Sequence, residues 1–546
     1  MIKLIYNDIA VGSREAFEPT ATGAEDLSHI DEIRRPGITF PHFSTVGELN
    51  QTLLDGSMVI MPDDTTDEYI GLWSDSLSGT DGSFAAPPTI TMTATELYTS
   101  LGITITTLDA FPSRVNIKWY RDDTLLDDVD FTPDSNMYYC EHRVDNYNRI
   151  VVTFNALILP CHRLKVIGLI HGRIREFDGH SIAGASIIQE VSPITAEISI
   201  DTFDFTLIGD ENIDYVFQRK QSLEIYSNSE LLGVFFVRSY RRTAERFYEV
   251  SSEDYIGLLD AVQFMGSIYT RKNAFELLTE IFDLANVPFT MDDALKSETV
   301  TGWIPICSCR EAVRQICFAI GAAVDTSLSD IVRIFVPSDE VAHHFPLNEI
   351  VQGQTLVDRD KRLTEVRLTV HGYAAGDKSK KLYEAAKSGA GNGILVEFSN
   401  PMHDLAITSG TIVESDANYA IINAAADTVL SGIPYDHTTA VISKKNPVIN
   451  SGDPANVVAV EKMTLISADN AAARLQSLYD YYMVQGTINS ALVLARPKGN
   501  VVAKPGDVVE ISTVYAGVQT ARLESARYRL FGGAIVADTT AKQPRA

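Results

Sequence analysis

Apolar residues recur at every second position through much of residues 173–260, and this alternation constrains the fold more than any other feature of the chain. Phe203, Phe205 and Leu207 form one clear example. Period two places one apolar face toward a core, as in half-buried β-strands. The polar segment 227–229 then interrupts the pattern as a hairpin turn does. We therefore expect a small antiparallel barrel or sandwich here.

The same stretch carries a resemblance to a known family. The run "SPITAEISIDTFDFTL", followed by "LEIY", "LLGVFFV" and "EDYIGLLD", resembles the first barrel of the tail-hub (tail-associated) proteins of bacteriophages and prophages. Those proteins are related in fold to the central hub of contractile-phage baseplates. The periodicity itself predicts only a β domain, and the hub is what the resemblance implies.

Residues 1–172 predict a β-sandwich, because short alternating segments are separated by turn residues. Val115, Ile117 and Trp119 fall on one face of such a segment. The strings "VNIKWYRDD" and "HRLKVIGLIHG" resemble the N-terminal jelly-roll domain of hubs from Firmicute prophages, which is similar to discoidin-type, galactose-binding-like modules. That resemblance implies a carbohydrate-binding-like fold, although a fold alone does not establish a ligand.

Aromatic residues of this region are candidates for carbohydrate contact. Trp73 and Trp119 continue apolar strand faces, so we expect both in the core rather than on a sugar-stacking surface. Tyr120, Tyr138 and His142 lie near an acidic turn in the sequence and are the better candidates for glycan contact.

The acidic turn "RDDTLLDDVD", residues 121–130, does not match a calcium loop. Leu125 and Leu126 stand where an EF-hand requires ligands and glycine. We expect a solvated hairpin. Cys307 and Cys309 have one spacer residue, with no second pair at zinc spacing. The five cysteines therefore predict buried thiols in a reducing cytoplasm.

A different periodicity follows the first barrel. Asn273 precedes an amphipathic helical pattern, and Ser308 with Glu311 forms a capping box for a second helix that Gly321 ends. These features predict a compact α+β domain. Further helices are expected at 417–431 and 470–484. The final segments return to strands, and the resemblance implies that a second hub barrel completes the chain.

The predicted fold class is multidomain and mainly β with an α+β insert. A jelly-roll, carbohydrate-binding-like domain spans 1–172, and the first hub barrel spans 173–265. The α+β domain spans 266–340. The second hub barrel, with helical insertions, spans 341–546. Five hundred and forty-six residues are too many for one core, in agreement with several domains.

Charge and hydropathy exclude some classes of function. A net charge of -27 disfavours binding to nucleic-acid phosphates or to anionic lipid headgroups. DNA is therefore expected only as passing cargo. The N-terminal segment lacks the apolar core of a signal peptide, and no window approaches the roughly 18 apolar residues of a membrane span.

No enzyme signature stands out in the sequence, and we expect no catalytic residue, cofactor or metal site. The pair His343-His344 is expected in a loop, and neither H-E-x-x-H nor G-x-S-x-G occurs. Two alternatives remain open: a host-recognition adhesin, and a polysaccharide-degrading enzyme with an attached carbohydrate-binding domain.

The resemblance implies a structural role in the virion. Hubs of this family are homotrimers with two barrels per chain, so three chains present six barrels to a hexameric tube. Such a hub caps the tail tube at the tail tip or baseplate of a phage or tailocin. Its implied partners are the distal tail protein, the tape-measure protein, tail-tube or baseplate subunits and a host cell-surface glycan. Assembly is expected in the bacterial cytoplasm.

Overall fold

A computed structural model describes most of the chain. The described residues are 2–26, 72–108, 110–209, 215–227, 230–351, 356–358, 363–447, 455–483, 486–496, 499–530 and 535–543. Residues 5–176 and 216–223 form one compact unit, called the N-terminal unit below. Residues 1–4, 177–215 and 224–546 form a second, called the main unit. No helix in the described ranges is long and apolar enough to cross a membrane.

The first part of the chain is almost entirely strand. Its elements are β1 (Ile2–Ile9), α1 (Ser13–Ala16), β2 (Glu18–Thr22), β3 (Ala24–Asp26), β4 (Leu72–Ser74), β5 (Thr89–Thr107), β6 (Pro112–Arg121), β7 (Thr124–Phe131), β8 (Met137–Leu157), β9 (Lys165–Ile170) and β10 (Gly172–Asp178). In the N-terminal unit the sheet order is β3-β4-β9-β5-β8-β6-β7, with β2 beside β5.

The core of the N-terminal unit follows the predicted alternation. Val115, Ile117 and Trp119 on β6 are fully buried, together with Val152 and Phe154 on β8. The prediction that Trp119 belongs to the core is confirmed. The side chain of Trp73 lies outside the described residues. The jelly-roll class stays a prediction.

The main unit begins with strands and three capped helices. In order, these are β11 (Ile182–Glu190), β12 (Thr202–Ile208), β13 (Ser222–Ser227), β14 (Glu230–Ala244), β15 (Phe247–Glu253), α2 (Tyr255–Asp260), β16 (Gln263–Phe264), β17 (Ile268–Asn273), α3 (Ala274–Leu284), β18 (Phe289–Met291), β19 (Thr299–Trp303), β20 (Cys307–Ser308), α4 (Cys309–Ile320), β21 (Ala323–Asp325) and β22 (Val332–Phe335). Short 3-10 helices occupy Asp293–Leu295 and Leu347–Glu349.

The remaining elements are again mostly strands. They are β23 (Val341–Phe345), β24 (Leu356–Asp358), β25 (Glu365–Ala375), β26 (Lys380–Glu384), α5 (Ala385–Ser388), β27 (Gly391–Glu397), β28 (Met402–Ile407), β29 (Thr411–Ser415), β30 (Tyr419–Ala424), β31 (Val429–Lys445), β32 (Val457–Val460), α6 (Ala471–Tyr482), β33 (Gly486–Ala495), β34 (Val508–Thr513), β35 (Gly517–Arg529) and β36 (Ile535–Gln543). The chain is thus mainly β, as predicted.

One sheet of the main unit joins its first and last strands. The order runs β14-β15-β12-β11-β35-β36-β33-β24, with β34 pairing both β35 and β23. A second sheet has the order β26-β31-β25-β32, with β28 beside β31, and a third has β27-β30-β29. The four-domain division at 172, 265 and 340 stays a prediction.

The two helix starts read from the sequence are confirmed. Asn273 Oδ1 accepts the Glu276 amide at 3.0 Å, and Ser308 Oγ accepts the Glu311 amide at 3.3 Å. Gly321 ends α4 with φ of 79°, a left-handed conformation that costs glycine little. Both helices bury their apolar faces in one core.

Two local predictions are wrong. Residues 417–431 contain β30 and the start of β31 instead of a helix, because burial there alternates at Ala420, Ile422 and Ala424. His343-His344 lies in β23 instead of a loop, since β34 supplies a parallel partner strand. The helix predicted near 470–484 is confirmed as α6.

A buried amide ties the third sheet to the α+β core. Asn418 is completely buried, and its Nδ2 donates to the carbonyl oxygens of Met265 and Ile304, each at 2.8 Å. Its Oδ1 accepts the indole N–H of Trp303 at 2.7 Å. All three bonds would be lost together with this side chain.

Replacing Asn418 with alanine is expected to cost about 3 kcal/mol, because it leaves one buried and two partly buried polar groups without partners. Urea unfolding followed by tryptophan fluorescence measures the loss. Asn392→Ala, at an exposed position of β27, is the matched control and should change little. Equal stability of the two variants would contradict this account of Asn418.

Candidate functional site

The seam between the two β regions is the first candidate functional feature. It consists of the antiparallel pairing of β11 with β35, in register from Ser186 with Arg529 to Glu190 with Ser525. Ile187 and Tyr528 face each other and are both buried. Five consecutive residue pairs hold segments from opposite ends of the main unit in one continuous sheet.

A buried carboxylate cluster lies near the seam and consists of Asp201, Asp254 and Asp325, with Asp507 beside them. Each of the first three has at most 3% of its surface exposed. No pattern in the sequence predicted this cluster. The one available signal was Asp254, because an aspartate just before the apolar run of α2 is a typical N-cap.

Thr326 connects two of these carboxyl groups. Its hydroxyl lies 2.6 Å from Asp254 Oδ2 and 3.2 Å from Asp201 Oδ2. Asp254 Oδ1 also accepts the amides of Ile256 and Gly257 and so caps α2. The hydroxyl has one hydrogen to donate, and the closer oxygen of Asp254 takes it. When Asp201 is protonated, its carboxyl group can donate to the hydroxyl oxygen of Thr326.

Burial and mutual repulsion favour that protonated state. Burial, followed by the charge of Asp254, raises the pKa of Asp201 well above its usual value. Burial also raises the pKa of Asp254 to about 7. Burial and the charge of Asp325 raise the pKa of Asp507 to about 6.

Two cations neutralise the third carboxylate of the cluster. Asp325 Oδ2 accepts from Lys504 Nζ at 2.7 Å and from the guanidinium of Arg333, while its Oδ1 accepts the Ser327 amide. Burial raises the pKa of Asp325, and Arg333 opposes this shift. Lys504 comes from the loop before β34, so this ion pair joins the last β region to β21.

The residues predicted to contact carbohydrate, Tyr120, Tyr138 and His142, lie in the N-terminal unit. Each of them is half-buried. The Arg149 guanidinium covers the ring of Tyr120 at 4.6 Å. His142 packs 5.3 Å from the Trp119 ring, and its Nε2 lies 3.1 Å from Asp127 Oδ2. Tyr138 packs against the core, and burial raises its pKa.

No hydrogen bond, ion pair or ring contact joins Tyr120, Tyr138 and His142 within the described ranges, and each of them has other partners. The acidic turn is a hairpin, as predicted, in which Arg121 pairs with Thr124. The Asn116 amide donates to Asp128 and Asp130 across that hairpin. Carbohydrate binding by these residues stays a prediction.

The cysteines are free thiols. Cys140, Cys309 and Cys317 are buried, as predicted, while Cys161 and Cys307 are partly exposed. Burial raises the pKa of both Cys140 and Cys307 to about 12. These two groups therefore stay protonated at neutral pH, a state of low nucleophilicity.

Comparisons with known proteins give distant structural similarities. No protein-family model matches the chain, and no curated protein matches it. It is similar to the 43 kDa tail protein of prophage MuSo2 from Shewanella oneidensis, at 10% identity and a TM-score of 0.42, over 68% of this chain and 95% of that one.

Two further solved structures have comparable identities and TM-scores. A tail protein from Neisseria meningitidis MC58 has 11% identity and a TM-score of 0.43, over 68% of this chain and 94% of that one. The prophage tail protein gp18 from Listeria monocytogenes EGD-e has 11% identity and a TM-score of 0.41, over 68% and 92%. These identities and TM-scores are too low to carry an inference about function.

The carboxylate cluster predicts that stability falls as pH rises. The folded-state pKa values of Asp201 and Asp254 are raised, so the folded protein holds protons that the unfolded chain releases above about pH 4. The associated stability is fully present below about pH 4. It is lost as pH rises through the folded pKa values, which reach about 7 for Asp254.

Asp201→Asn is expected to remove much of this pH dependence, since the amide can donate to Thr326 at every pH. The variant should melt at a higher temperature than the wild type at pH 8, and this difference should disappear near pH 4. Calorimetry at both pH values measures it. Asp204→Asn, at an exposed site on β12, is the control. A variant that melts below the wild type at pH 8 would contradict the protonated state of Asp201.

Proposed function

We propose that this protein is the structural tail or baseplate hub of a bacteriophage or tailocin. The observation that carries the proposal is the seam, in which β11 and β35 place two β regions of one chain side by side in a continuous sheet. The family resemblance of residues 173–260 supports the same role. In this role the chain is a non-enzymatic component of the virion tail tip.

Symmetry explains why two β regions per chain suit a hub. A trimer of such chains presents six related β regions, which match the six subunits at the end of a tail tube. The hub caps the tube and connects it to distal-tail or baseplate proteins and to the tape-measure protein. Large obligate interfaces, rather than a catalytic group, perform this function.

An exposed hairpin supplies a surface for contact between copies of the chain. The tip between β34 and β35 presents Val514, Tyr515 and Val518, with 74%, 99% and 54% of their surfaces exposed. Apolar and aromatic side chains at such exposure are typical of interface anchors. We place this tip, residues 514–518, in the interface between subunits of the trimer.

The native chain is expected to have a mass of about 180 kDa in solution, three times its 60.0 kDa. The double variant Val514→Ser, Tyr515→Ser should shift the mass toward the monomer, because it removes apolar area from the interface. Mass photometry or sedimentation measures both. The control Val413→Ser, Val441→Ser, at positions exposed by 61% and 63%, should stay trimeric. A stable native monomer would overturn the proposal.

The N-terminal unit, in this proposal, binds cell-surface carbohydrate of the host. Tyr120 and His142 supply a ring and a polar group of the kind that hold sugars, and Tyr138 adds a second phenol. The unit would bring the tail tip to the bacterial surface while the main unit holds the tube.

Tyr120→Ala is expected to weaken binding to host wall polysaccharide about tenfold, equivalent to about 1.4 kcal/mol, because a stacking surface is lost. Biolayer interferometry with immobilised polysaccharide measures the affinity. Tyr240→Ala, at an exposed position on β14 of the main unit, is the matched control. Unchanged affinity in Tyr120→Ala, Tyr138→Ala and His142→Ala alike would exclude these residues. Release of sugar from the polysaccharide by the wild type would instead favour the enzyme alternative.

A further inference from the structure

A groove in the main unit is not explained by the hub role. It has a volume of about 750 Å³. One wall is the sheet that contains the seam, through Glu190, Glu524 and Thr540. Tyr481 and Tyr482 at the end of α6 line it as well. The run Val458–Met463, which begins in β32, supplies another wall.

The backbone of β32, and not only one of its faces, borders the groove. Side chains of a strand point alternately to opposite faces, so consecutive lining residues indicate that the strand edge itself is presented. Val458, Ala459 and Val460 are consecutive and all line the groove. Within the described residues β32 pairs only with β25, so its other edge has unpaired amides and carbonyls.

The charged groups of the groove are mostly acidic. Glu190, Glu197 and Glu461 line it, and none of the three forms an ion pair with a described residue. All three are exposed. Glu524 is different, because it accepts from Tyr481 at 2.6 Å and lies 3.4 Å from Lys542.

The basic residues of the groove do not neutralise these three carboxylates. Arg314 is held by Glu311 and by the carbonyl of Ala196. Lys462 is the remaining basic residue among those lining the groove. The acidic side chains also affect Tyr482, because burial and the charges of Glu197 and Glu524 raise its pKa.

We propose that this groove binds an extended, lysine- or arginine-rich segment of a partner protein, which adds as a strand to the free edge of β32. The strand edge supplies main-chain hydrogen bonds, as in other cases of strand addition. Glu190, Glu197 and Glu461 supply the charge complement, and the chain's net charge of -27 attracts a cationic segment from a distance. The proposal rests on the main unit alone and holds whether or not the chain is a trimeric hub.

The test uses the full chain and a fluorescein-labelled ten-residue peptide of alternating lysine and threonine. Fluorescence anisotropy is measured at about 50 and 300 mM salt, because exposed charge pairs are screened at the higher concentration. We expect saturable binding that weakens with salt. The triple variant Glu190→Gln, Glu197→Gln, Glu461→Gln should raise Kd at least about tenfold.

The control variant carries the same three changes of charge elsewhere. Glu245→Gln, Glu280→Gln, Glu340→Gln alters exposed residues of the main unit outside the groove. It should bind the peptide like the wild type. Equal weakening in both triple variants would show a general charge effect and overturn the site.

A second peptide tests the strand. The same lysine-threonine sequence with every backbone amide N-methylated keeps the charge but has no main-chain N–H to donate on either edge, so it cannot pair along β32. We expect its binding to be at least about tenfold weaker, and equal binding would overturn strand addition. A loss of oligomeric mass in the groove variant would identify a second copy as the occupant and would also overturn the proposal. The mass of the Val514→Ser, Tyr515→Ser variant tests the hub role separately.

Discussion

The pairing of β11 with β35 is the interaction on which the main unit depends. Arg527 donates to Ser186 across 341 positions of sequence, so this contact closes nearly the whole main unit into one loop. Such a closure costs conformational entropy that only a large set of contacts can offset. Some of these contacts are the five paired residues of the ladder, which include the buried pair of Ile187 with Tyr528. The apolar contacts of the α+β core supply others.

The carboxylate cluster is completed by this closure. Asp201, Asp254 and Asp325 come from three segments of the first part of the main unit, and Lys504 reaches Asp325 from its last β region. Burying such groups is costly unless they are paired or protonated. Lys504 and Arg333 pair with Asp325, and burial raises the pKa of Asp201 and so favours its protonated form. Part of the unit's folding free energy is thereby linked to pH.

The groove is a second consequence of the same arrangement. The seam sheet, β32 and α6 leave a space between them with one unpaired strand edge. Natural proteins usually protect such an edge with charge, a bulge or a cover. Glutamates around this edge both discourage pairing between identical acidic chains and select a basic strand, so one feature provides solubility and specificity.

Local sequence rules predicted the features that depend on a few neighbouring residues. Asn273 and Ser308 cap their helices as predicted, because an N-cap needs only the backbone amides of the following helical turn. The alternation around Phe203 and Phe205 predicted a buried strand face for the same reason. The prediction of a helix near Ile422 was wrong. An alanine-rich sequence is compatible with both helical and strand periodicity, and pairing with β27 and β29 stabilises the strand.

By itself, the sequence determined that the chain is mainly β, where the capped helices begin and that its surface is strongly acidic. These properties follow from periodicity, capping and charge, which act over short distances or sum over the chain. Only the tertiary structure decided that β11 lies beside β35, that Asp201 shares Thr326 with Asp254, and that β32 keeps one edge unpaired. Strand partners and buried charge contacts depend on which distant segments meet, and no local pattern encodes that choice.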